Sequence, residues 1–319
     1  MGIETETKHV PVLLQEATDF LEVKPGGTYV DMTLGGGGHS LEIIRRLEGS
    51  GNLVAIDADA KAIERFKAKI KLMGFEAREF WYEKEKLKVY LVDTNFERLI
   101  EIIAELGISE VDGILADLGT STDQLEDSKK GFSFKKDEEL DMRMNDGLSV
   151  KAKDLVNVLN ERQLADMFFE FGDENYAKRI AREIVETRKS KLVETTFDLL
   201  KIIEKALPKN SHKPYGKREL RDLLPATRVF QALRIAVNHE LDSLKTALPQ
   251  TLEVMVAGSR LVVISFHSGE DRIVKNFFRD EEKKGTLRIL TDKPIEPTEK
   301  EIVKNRKSRS AKMRTAEKI

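Results

Sequence analysis

The sequence predicts an α/β fold built on a doubly wound parallel sheet with an inserted helical domain. Apolar runs typical of buried strands alternate with stretches of helical spacing between residues 28 and 117. The first of these runs leads into four consecutive glycines, Gly35 to Gly38. The alternation stops after Asp117 and returns only after Pro225, which indicates an insertion.

The elements of the first sheet region follow from the spacing of apolar residues. Strands are predicted at 28–32, 52–56, 88–93 and 113–116, each a short apolar run bounded by polar or turn residues. Helices are predicted at 9–21, 39–47, 60–73 and 95–106. The charged stretch 75–88 fits neither pattern. The regular β–α alternation predicts parallel strands joined by helices.

Residues 120–223 carry helical patterns and no good strand. Leu164, Met167, Phe168 and Phe171 follow the spacing of one helix face, and Thr195 to Asp198 form a capping box that begins another helix. This predicts a helical domain at 120–223, inserted into a discontinuous sheet domain at 1–119 and 224–319. We expect the inserted domain to close over the cleft of the sheet domain.

After the insertion the sheet pattern returns. A long helix is predicted at 228–248, a strand at 260–266, a helix at 269–279 and a strand at 287–290. Near the end, Ala311, Met313 and Thr315 alternate with Lys312 and Arg314. This period of two predicts a last antiparallel strand, with Lys312 and Arg314 pointing away from the core.

Composition limits the class of protein and its chemistry. The 319 residues suffice for one large domain or two modest ones, and they include no cysteine. Disulfides, thiolate metal ligands and a cysteine nucleophile are therefore excluded. The formal net charge is −2, so contacts with nucleic acid would come from local basic patches. No stretch approaches about 18 apolar residues and no signal core is present, so we expect a cytoplasmic protein.

The glycine turn and Asp57 together indicate a site for an adenosine-type cofactor. Glycines let the backbone approach a ligand without an intervening Cβ. Such turns lie outside the carboxyl ends of parallel strands, where open α/β sheets bind their ligands. Asp57 closes the next apolar run about 20 residues further on, where a carboxylate can accept hydrogen bonds from both hydroxyls of a ribose.

Two cofactors fit these features, a dinucleotide and S-adenosylmethionine. A dinucleotide site has a third glycine where this chain has Ser40. The carboxylate of Asp31, just before the turn, would repel a pyrophosphate. S-adenosylmethionine carries a sulfonium cation and an amino group, which acidic surroundings suit. The residues favour S-adenosylmethionine and leave a dinucleotide-dependent oxidoreductase as the alternative.

Basic residues cluster in two places and favour contact with RNA over simple solvation. The first cluster is Lys209, Lys213, Lys217, Arg218 and Arg221, and the second is Lys304, Arg306, Lys307, Arg309, Lys312 and Arg314. His267, at the end of the strand predicted at 260–266, has two interpretations. It contacts RNA or a target base, or it bonds locally to a backbone carbonyl.

Eight or more sequence blocks, in order, carry a resemblance to the bacterial small-subunit rRNA cytosine-N4 methyltransferases (MraW, also called RsmH). They are HVPVLLQE at 9–16, GGGGHS at 35–40, AIDAD at 55–59, DGILADLG at 112–119, GFSF at 131–134, LDMRM at 140–144, FQALRIAVNHEL at 230–241, ISFHS at 264–268 and EDRIVK at 270–275. The chain departs from the family at Gly36, Asn145, Leu224 and Gly269, and in a local insertion around 77–89.

The resemblance implies a class I S-adenosylmethionine-dependent methyltransferase fold, which is a Rossmann-like doubly wound sheet. It implies S-adenosylmethionine as methyl donor and the N4 amine of a cytosine in the decoding region of small-subunit ribosomal RNA as target. The implied partner is that RNA within the ribosomal subunit, with no membrane and no metal, and the helical insert would recognise this substrate. The cofactor positions carried over are Gly37, Gly38, His39, Asp57, Phe96, Asp117 and Gln124.

The residues themselves restrict the chemistry. Methylation at C5 of cytosine uses an attacking cysteine, and the chain has none, so exocyclic nitrogen or hydroxyl targets remain. Asp117 has two possible roles, as the acceptor for a proton of the target amine or as a cofactor ligand. A non-catalytic RNA-binding protein with a vestigial fold is a further alternative, against which the glycine turn, Asp57 and Asp117 argue.

Overall fold

A nine-stranded sheet organises the fold. The computed structural model describes residues 11–119, 129–208 and 224–319. The strands are β1 (Thr28–Asp31), β2 (Ser50–Asp57), β3 (Glu76–Ala77), β4 (Tyr82–Lys84), β5 (Lys86–Asp93), β6 (Val111–Asp117), β7 (Met255–Ser265), β8 (Leu287–Ile289) and β9 (Lys312–Lys318). Their order across the sheet is β3-β4-β5-β2-β1-β6-β7-β9-β8.

The centre of the sheet is parallel and both edges are antiparallel. Strand β1 pairs in parallel with β2 on one side and with β6 on the other, and the parallel region extends to β5 and β7. Strand β9 runs antiparallel between β7 and β8. The strand order reverses at β1, so the carboxyl ends of β1, β2 and β6 border the crevice in which such sheets bind ligands. The predicted doubly wound sheet is confirmed.

Helices flank the sheet and build a separate bundle. The helices that belong with the sheet are α1 (Leu14–Leu21), α2 (Gly38–Arg46), α3 (Ala60–Leu72), α4 (Leu99–Glu105), α10 (Glu240–Val254), α11 (Ser268–Lys284) and α12 (Glu299–Lys304). The helices of the bundle are α5 (Ala152–Val158), α6 (Glu161–Gly172), α7 (Ala177–Arg188), α8 (Thr196–Ala206) and α9 (Leu224–Asn238). No helix in the described ranges is both long and apolar enough to cross a membrane.

The chain divides into two compact units, residues 1–122 with 241–319, and residues 123–240. In the first unit, apolar clusters line both faces of the sheet. The second has its own core around Phe168, Ile180 and Leu233. Its helix α8 begins at Thr195, whose hydroxyl accepts a hydrogen bond from the Asp198 N–H, as the capping pattern predicts.

The second boundary differs from the one expected at residue 224. Helix α9, expected with the sheet, packs in the helical unit. A Cβ on Gly172 of α6 would lie 2.6 Å from the Arg228 carbonyl oxygen of α9, so only glycine permits this approach. Gln231 of α9 also donates a hydrogen bond to the Phe171 carbonyl at 3.0 Å. The sequence carries neither glycine nor proline at 239 and 240, where the helical unit ends, so its pattern alone assigns this helix to the sheet domain.

Two further expectations need correction. The single helix predicted at 228–248 is two helices, α9 and α10, because His239 between them has a left-handed backbone with φ 52°. The charged stretch that fitted neither pattern contains β3 and β4, which form a hairpin on β5. The remaining strands and helices lie within a few residues of their predicted positions, and the last antiparallel strand is confirmed as β9.

Candidate functional site

Three aspartates lie where three neighbouring strands end. Asp31 ends β1, Asp57 ends β2 and Asp117 ends β6. Because β1 pairs in parallel with both other strands, these ends meet at one edge of the sheet. The three carboxyl groups share a crevice with little solvent, and the pKa of each is raised by that burial. The site therefore concentrates negative charge.

Asp31 is fully buried and hydrogen-bonded on both oxygens. Its Oδ2 accepts from the Ser40 hydroxyl at 2.6 Å, and its Oδ1 accepts from the Thr33 N–H at 3.0 Å. Burial raises the pKa of Asp31 to about 6, although these hydrogen bonds act in the opposite direction. Ser40, which stands where a dinucleotide site has its third glycine, therefore holds a carboxylate.

Asp57 connects the glycine turn to the start of α3. Its Oδ2 accepts from the Gly35 N–H at 2.7 Å, and its Oδ1 accepts from the Asp59 N–H at 2.8 Å. Burial raises its pKa to about 6, opposed by these two backbone hydrogen bonds. Each carboxylate oxygen has a second lone pair, so the two hydroxyls of a ribose still have acceptors. The carboxylate thus shapes the turn as well as offering a ribose site.

Gly37 and Gly38 are required by packing as well as by ligand approach. Gly37 has φ 79°, and a Cβ there would lie 2.3 Å from the Phe66 ring of α3. A Cβ on Gly38 would lie 2.0 Å from the ring of Pro11. Gly37 is the N-cap of α2, and its N–H donates to the Leu34 carbonyl at 2.7 Å. Gly38 is the first residue of the helix, where the backbone N–H groups of the first turn favour an anionic ligand such as a carboxylate.

His39 lies between the backbone of Val12 and the carboxyl group of Asp117. Its Nε2 is 3.1 Å from the Val12 carbonyl oxygen, and its Nδ1 is 3.5 Å from Asp117 Oδ2. A carbonyl oxygen can only accept, so Nε2 carries a hydrogen. Nδ1 therefore faces Asp117. Unless a second proton lies between them, the lone pair of Nδ1 faces a lone pair of the carboxylate oxygen.

Asp117 combines burial with negative charges close by. Its pKa is raised well above the usual value, first by burial and then by the negative charges of Asp31 and Glu270. Its Oδ1 is buried and accepts no hydrogen bond from the described residues. A carboxylate oxygen in this state is suited to accept a proton or hydrogen bond from a ligand.

Thr33 is a site residue that the sequence reading missed. Its N–H binds Asp31, while its hydroxyl accepts a 2.6 Å hydrogen bond from the Asp117 N–H. One threonine thus ties together the ends of β1 and β6. Its position two residues after an aspartate is typical of an Asx turn, which could have revealed it.

The other predicted site residues have different outcomes. Phe96 begins a short 3₁₀ turn just after β5 and packs, half-buried, against the apolar cluster on one sheet face. Its position beside an adenine stays a prediction. Gln124 lies outside the described residues, as does the basic cluster at 209–221.

His267 has a local structural role. It is the N-cap of α11, where its Nδ1 accepts a long hydrogen bond of 3.4 Å from the Glu270 N–H. Its Nε2 lies 3.2 Å from Glu270 Oε1, and its side chain is 8% exposed. Of the two interpretations, the structure favours local bonding, with a backbone N–H rather than a carbonyl as partner.

The prediction that Arg314 points to solvent is wrong. Its guanidinium pairs with Asp271 of α11 at 2.6 Å, and the residue is 8% exposed. Strand β9 lies inside the sheet with both faces covered, so residues of both parities are buried. Lys304, Arg306, Lys307 and Arg309 of the same basic cluster are exposed.

Comparison with known proteins decides the family. The model of one protein family, described as the MraW methylase family, matches residues 6–319. The chain belongs to this family. Ribosomal RNA small subunit methyltransferase H of Koribacter versatilis is 45% identical over 315 residues, which are 99% of this chain and 95% of that protein. The proteins of the same name from Lactobacillus delbrueckii subsp. bulgaricus and Caldicellulosiruptor saccharolyticus are 42% and 43% identical over 98% of this chain. They are matched over 100% and 99% of their own lengths.

Membership of the MraW methylase family confirms the predicted fold class and S-adenosylmethionine as the methyl donor. The residues of the site fit this cofactor. The three carboxyl groups with raised pKa values have no nearby positive charge that lowers these pKa values among the described residues, and a cationic sulfonium and amino group would supply one. A pyrophosphate would add negative charge to the same crevice. The dinucleotide alternative is therefore set aside.

Proposed function

We propose that this methylase transfers a methyl group to the N4 amine of a cytosine in the decoding region of small-subunit ribosomal RNA. Three relatives at 42–45% identity are named ribosomal RNA small subunit methyltransferase H, which supports the RNA substrate. The absence of cysteine argues against attack at C5 and supports an exocyclic nitrogen as target. The observation that carries the proposal is the buried Asp117 carboxyl group, with one oxygen unoccupied by the described residues.

S-adenosylmethionine supplies an electrophilic methyl group. Asp57 would hold the ribose, and the backbone N–H groups at the start of α2, beginning with Gly38, would hold the methionine carboxylate. Gly37 would let the backbone come close to it. These contacts fix the reacting atoms in line, which removes much of the entropic barrier. Phe96 would lie beside the adenine, and the family resemblance assigns Gln124, which lies outside the described residues, to the same cofactor.

Asp117 handles the proton of the target amine. The N4 lone pair is delocalised into the pyrimidine ring, so the amine is a weak nucleophile. Asp117 Oδ1 accepts a hydrogen bond from the amine, and takes its proton as the new N–C bond forms. Its raised pKa makes it a stronger base than an ordinary aspartate. His39 Nδ1, 3.5 Å from Oδ2, shares the proton on the other side.

The RNA must present the cytosine outside its stack, because an aspartate at the bottom of a crevice cannot reach a paired base. We assign recognition of the surrounding RNA to the helical unit at 123–240 and to the exposed basic residues near 304–309. The partner is expected to be the RNA in the ribosomal subunit. The proposal includes no metal and no membrane.

The test is methylation of small subunits and of free small-subunit rRNA lacking the modification, followed by digestion and mass analysis of the nucleosides. N4-methylcytidine is the expected product. Asp117→Asn is expected to lower kcat by roughly 10²–10⁴-fold while retaining the fold, with Glu299→Gln on the exposed surface of α12 as matched control. A product methylated at C5 or on a ribose would refute the assignment.

A further inference from the structure

A single peptide group connects His39 to the C-terminal part of the chain. The Val12–Leu13 peptide presents its carbonyl oxygen to His39 Nε2 at 3.1 Å. Its N–H, on the opposite side of the same planar group, donates to Glu301 Oε1 of α12 at 2.8 Å. The two ends of one peptide therefore bind a carboxylate and the imidazole of the candidate site.

This peptide is held in an unfavourable local conformation. Leu13 has φ 53°, in the left-handed region that a branched apolar residue seldom adopts. It is the N-cap of α1, its side chain provides no cap, and it is fully buried. Such strain persists only where the surroundings enforce it, and it concentrates at functional sites. Glu301 supplies the enforcing contact from a residue 288 positions away.

The contact also has an electronic consequence. A carboxylate that accepts from the N–H of an amide polarises the group and makes its carbonyl oxygen a better acceptor. The Val12 oxygen then binds the Nε2 hydrogen of His39 more strongly, which fixes the tautomer with Nδ1 toward Asp117. An orienting carboxylate acts on a catalytic histidine in the same way when it bonds directly. Here a peptide lies between the two.

We propose that Glu301 is a positioning residue of the methyl-transfer site, which acts through the Val12–Leu13 peptide to orient His39 and to hold its Nδ1 toward Asp117. This inference rests on the proposed function for its effect on rate. The link to His39 itself requires only the geometry of the unliganded protein. No step of bond formation is assigned to Glu301, because its carboxylate binds the side of the peptide opposite to His39.

Four acidic groups lie along the link. Asp117 of β6 faces His39 directly, and Asp31 of β1 and Glu270 of α11 act on Asp117. Glu301 approaches from α12 on the far side of the peptide. Glu301 is one of these charges, so the pH dependence of activity should shift when Glu301 loses its charge.

The first measurement is the ¹⁵N spectrum of the histidine side chains, with His39 assigned by comparison with His39→Gln. The chain has five histidines, which makes the assignment practical. In the unchanged protein we expect a protonated Nε2 and a fixed tautomer. Glu301→Ala should give averaged tautomers. Glu301→Gln, which keeps an acceptor oxygen, should restore the fixed tautomer.

The second measurement is activity. Glu301→Ala is expected to lower kcat by roughly 10–100-fold, as for a small displacement of a catalytic group, with partial rescue in Glu301→Gln. Glu299→Ala on the same helix is exposed and serves as control. If the alanine variant does not fold, the glutamine variant still tests the charge through the pH profile, which should shift relative to the unchanged protein.

The outcomes separate this inference from the proposed function. Unchanged His39 signals in a folded Glu301→Ala variant, or an unshifted pH profile in Glu301→Gln, overturn the role of Glu301. Loss of activity in both variants without change at His39 would do the same. A product other than N4-methylcytidine, together with altered His39 signals, refutes the proposed function and leaves the link intact.

Discussion

Replacing Asp31 with asparagine is expected to stabilise the protein at neutral pH while weakening its cofactor site. The substitution removes one of three buried negative charges and keeps the shape of the side chain. Its amide oxygen can still accept from the Thr33 N–H, and its amide nitrogen can donate to the Ser40 hydroxyl. The change therefore isolates the charge.

The size of the effect follows from the pKa. Burial raises the pKa of Asp31 from 3.8 to about 6. The folded state thus binds the proton more tightly than the unfolded state. Below about pH 4 this difference adds roughly 3 kcal/mol to the free energy of unfolding. The contribution is lost as the pH rises through about 6. Roughly 2 kcal/mol of this loss lies between pH 4.5 and 8, and the asparagine variant should not show it.

The assay is urea unfolding of both proteins, without cofactor, at pH 4.5 and at pH 8. The difference in unfolding free energy between variant and unchanged protein should grow toward pH 8 in favour of the variant. Loss of the Asp31 charge also relieves Asp117, which adds to the effect in the same direction. A difference that does not vary with pH would refute the electrostatic reasoning.

Four further predictions concern cofactor, RNA and stability. Asp57→Ala should remove most S-adenosylmethionine affinity in calorimetry while leaving the fold intact, because charge-assisted hydrogen bonds are worth roughly 1.5–3 kcal/mol each; unchanged binding would contradict the assignment. Since the cationic cofactor favours ionised carboxylates, its affinity should rise with pH up to about 6 and its binding should release protons, which calorimetry in two buffers measures. Charge reversal at Arg306, Lys307 and Arg309 should weaken RNA binding and flatten its salt dependence by roughly 0.7–0.9 log units for each phosphate that the variant no longer neutralises, with cofactor binding as control. Arg314→Ala should instead destabilise the fold by roughly 1–3 kcal/mol in urea unfolding, because it leaves Asp271, whose side chain is 13% exposed, without its partner.

The sequence was informative where function depends on local pattern. The end of β1, the glycine turn and the end of β2 carry their chemistry within about 30 residues, and apolar runs with acidic ends were enough to place Asp31, Asp57 and Asp117. The family blocks added the cofactor and the class of reaction. Both the apolar runs and the family blocks can be recognised without knowledge of the tertiary packing.

Other features depend on contacts that no local pattern contains. Alternation at 311–315 predicts a strand correctly, but cannot show that both faces are covered, so Arg314 was misjudged. His239 breaks a continuous helical pattern through one left-handed residue that is neither glycine nor proline. The bond between Leu13 and Glu301 joins the two ends of the described chain and has no sequence signature.

The interior position of β9 has a consequence for folding. In the described sheet, β9 lies between β7 and β8 and pairs with both. Neither pairing can form until residues 312–318 are in place. Until then β7 presents an open, apolar edge, which is a template for pairing with other chains. The first unit is also formed by two stretches of chain that residues 123–240 separate. Its native contacts therefore span large sequence separations and form slowly. During synthesis the helical unit can therefore fold first, while the catalytic sheet remains incomplete and exposed to aggregation until its last strand is made.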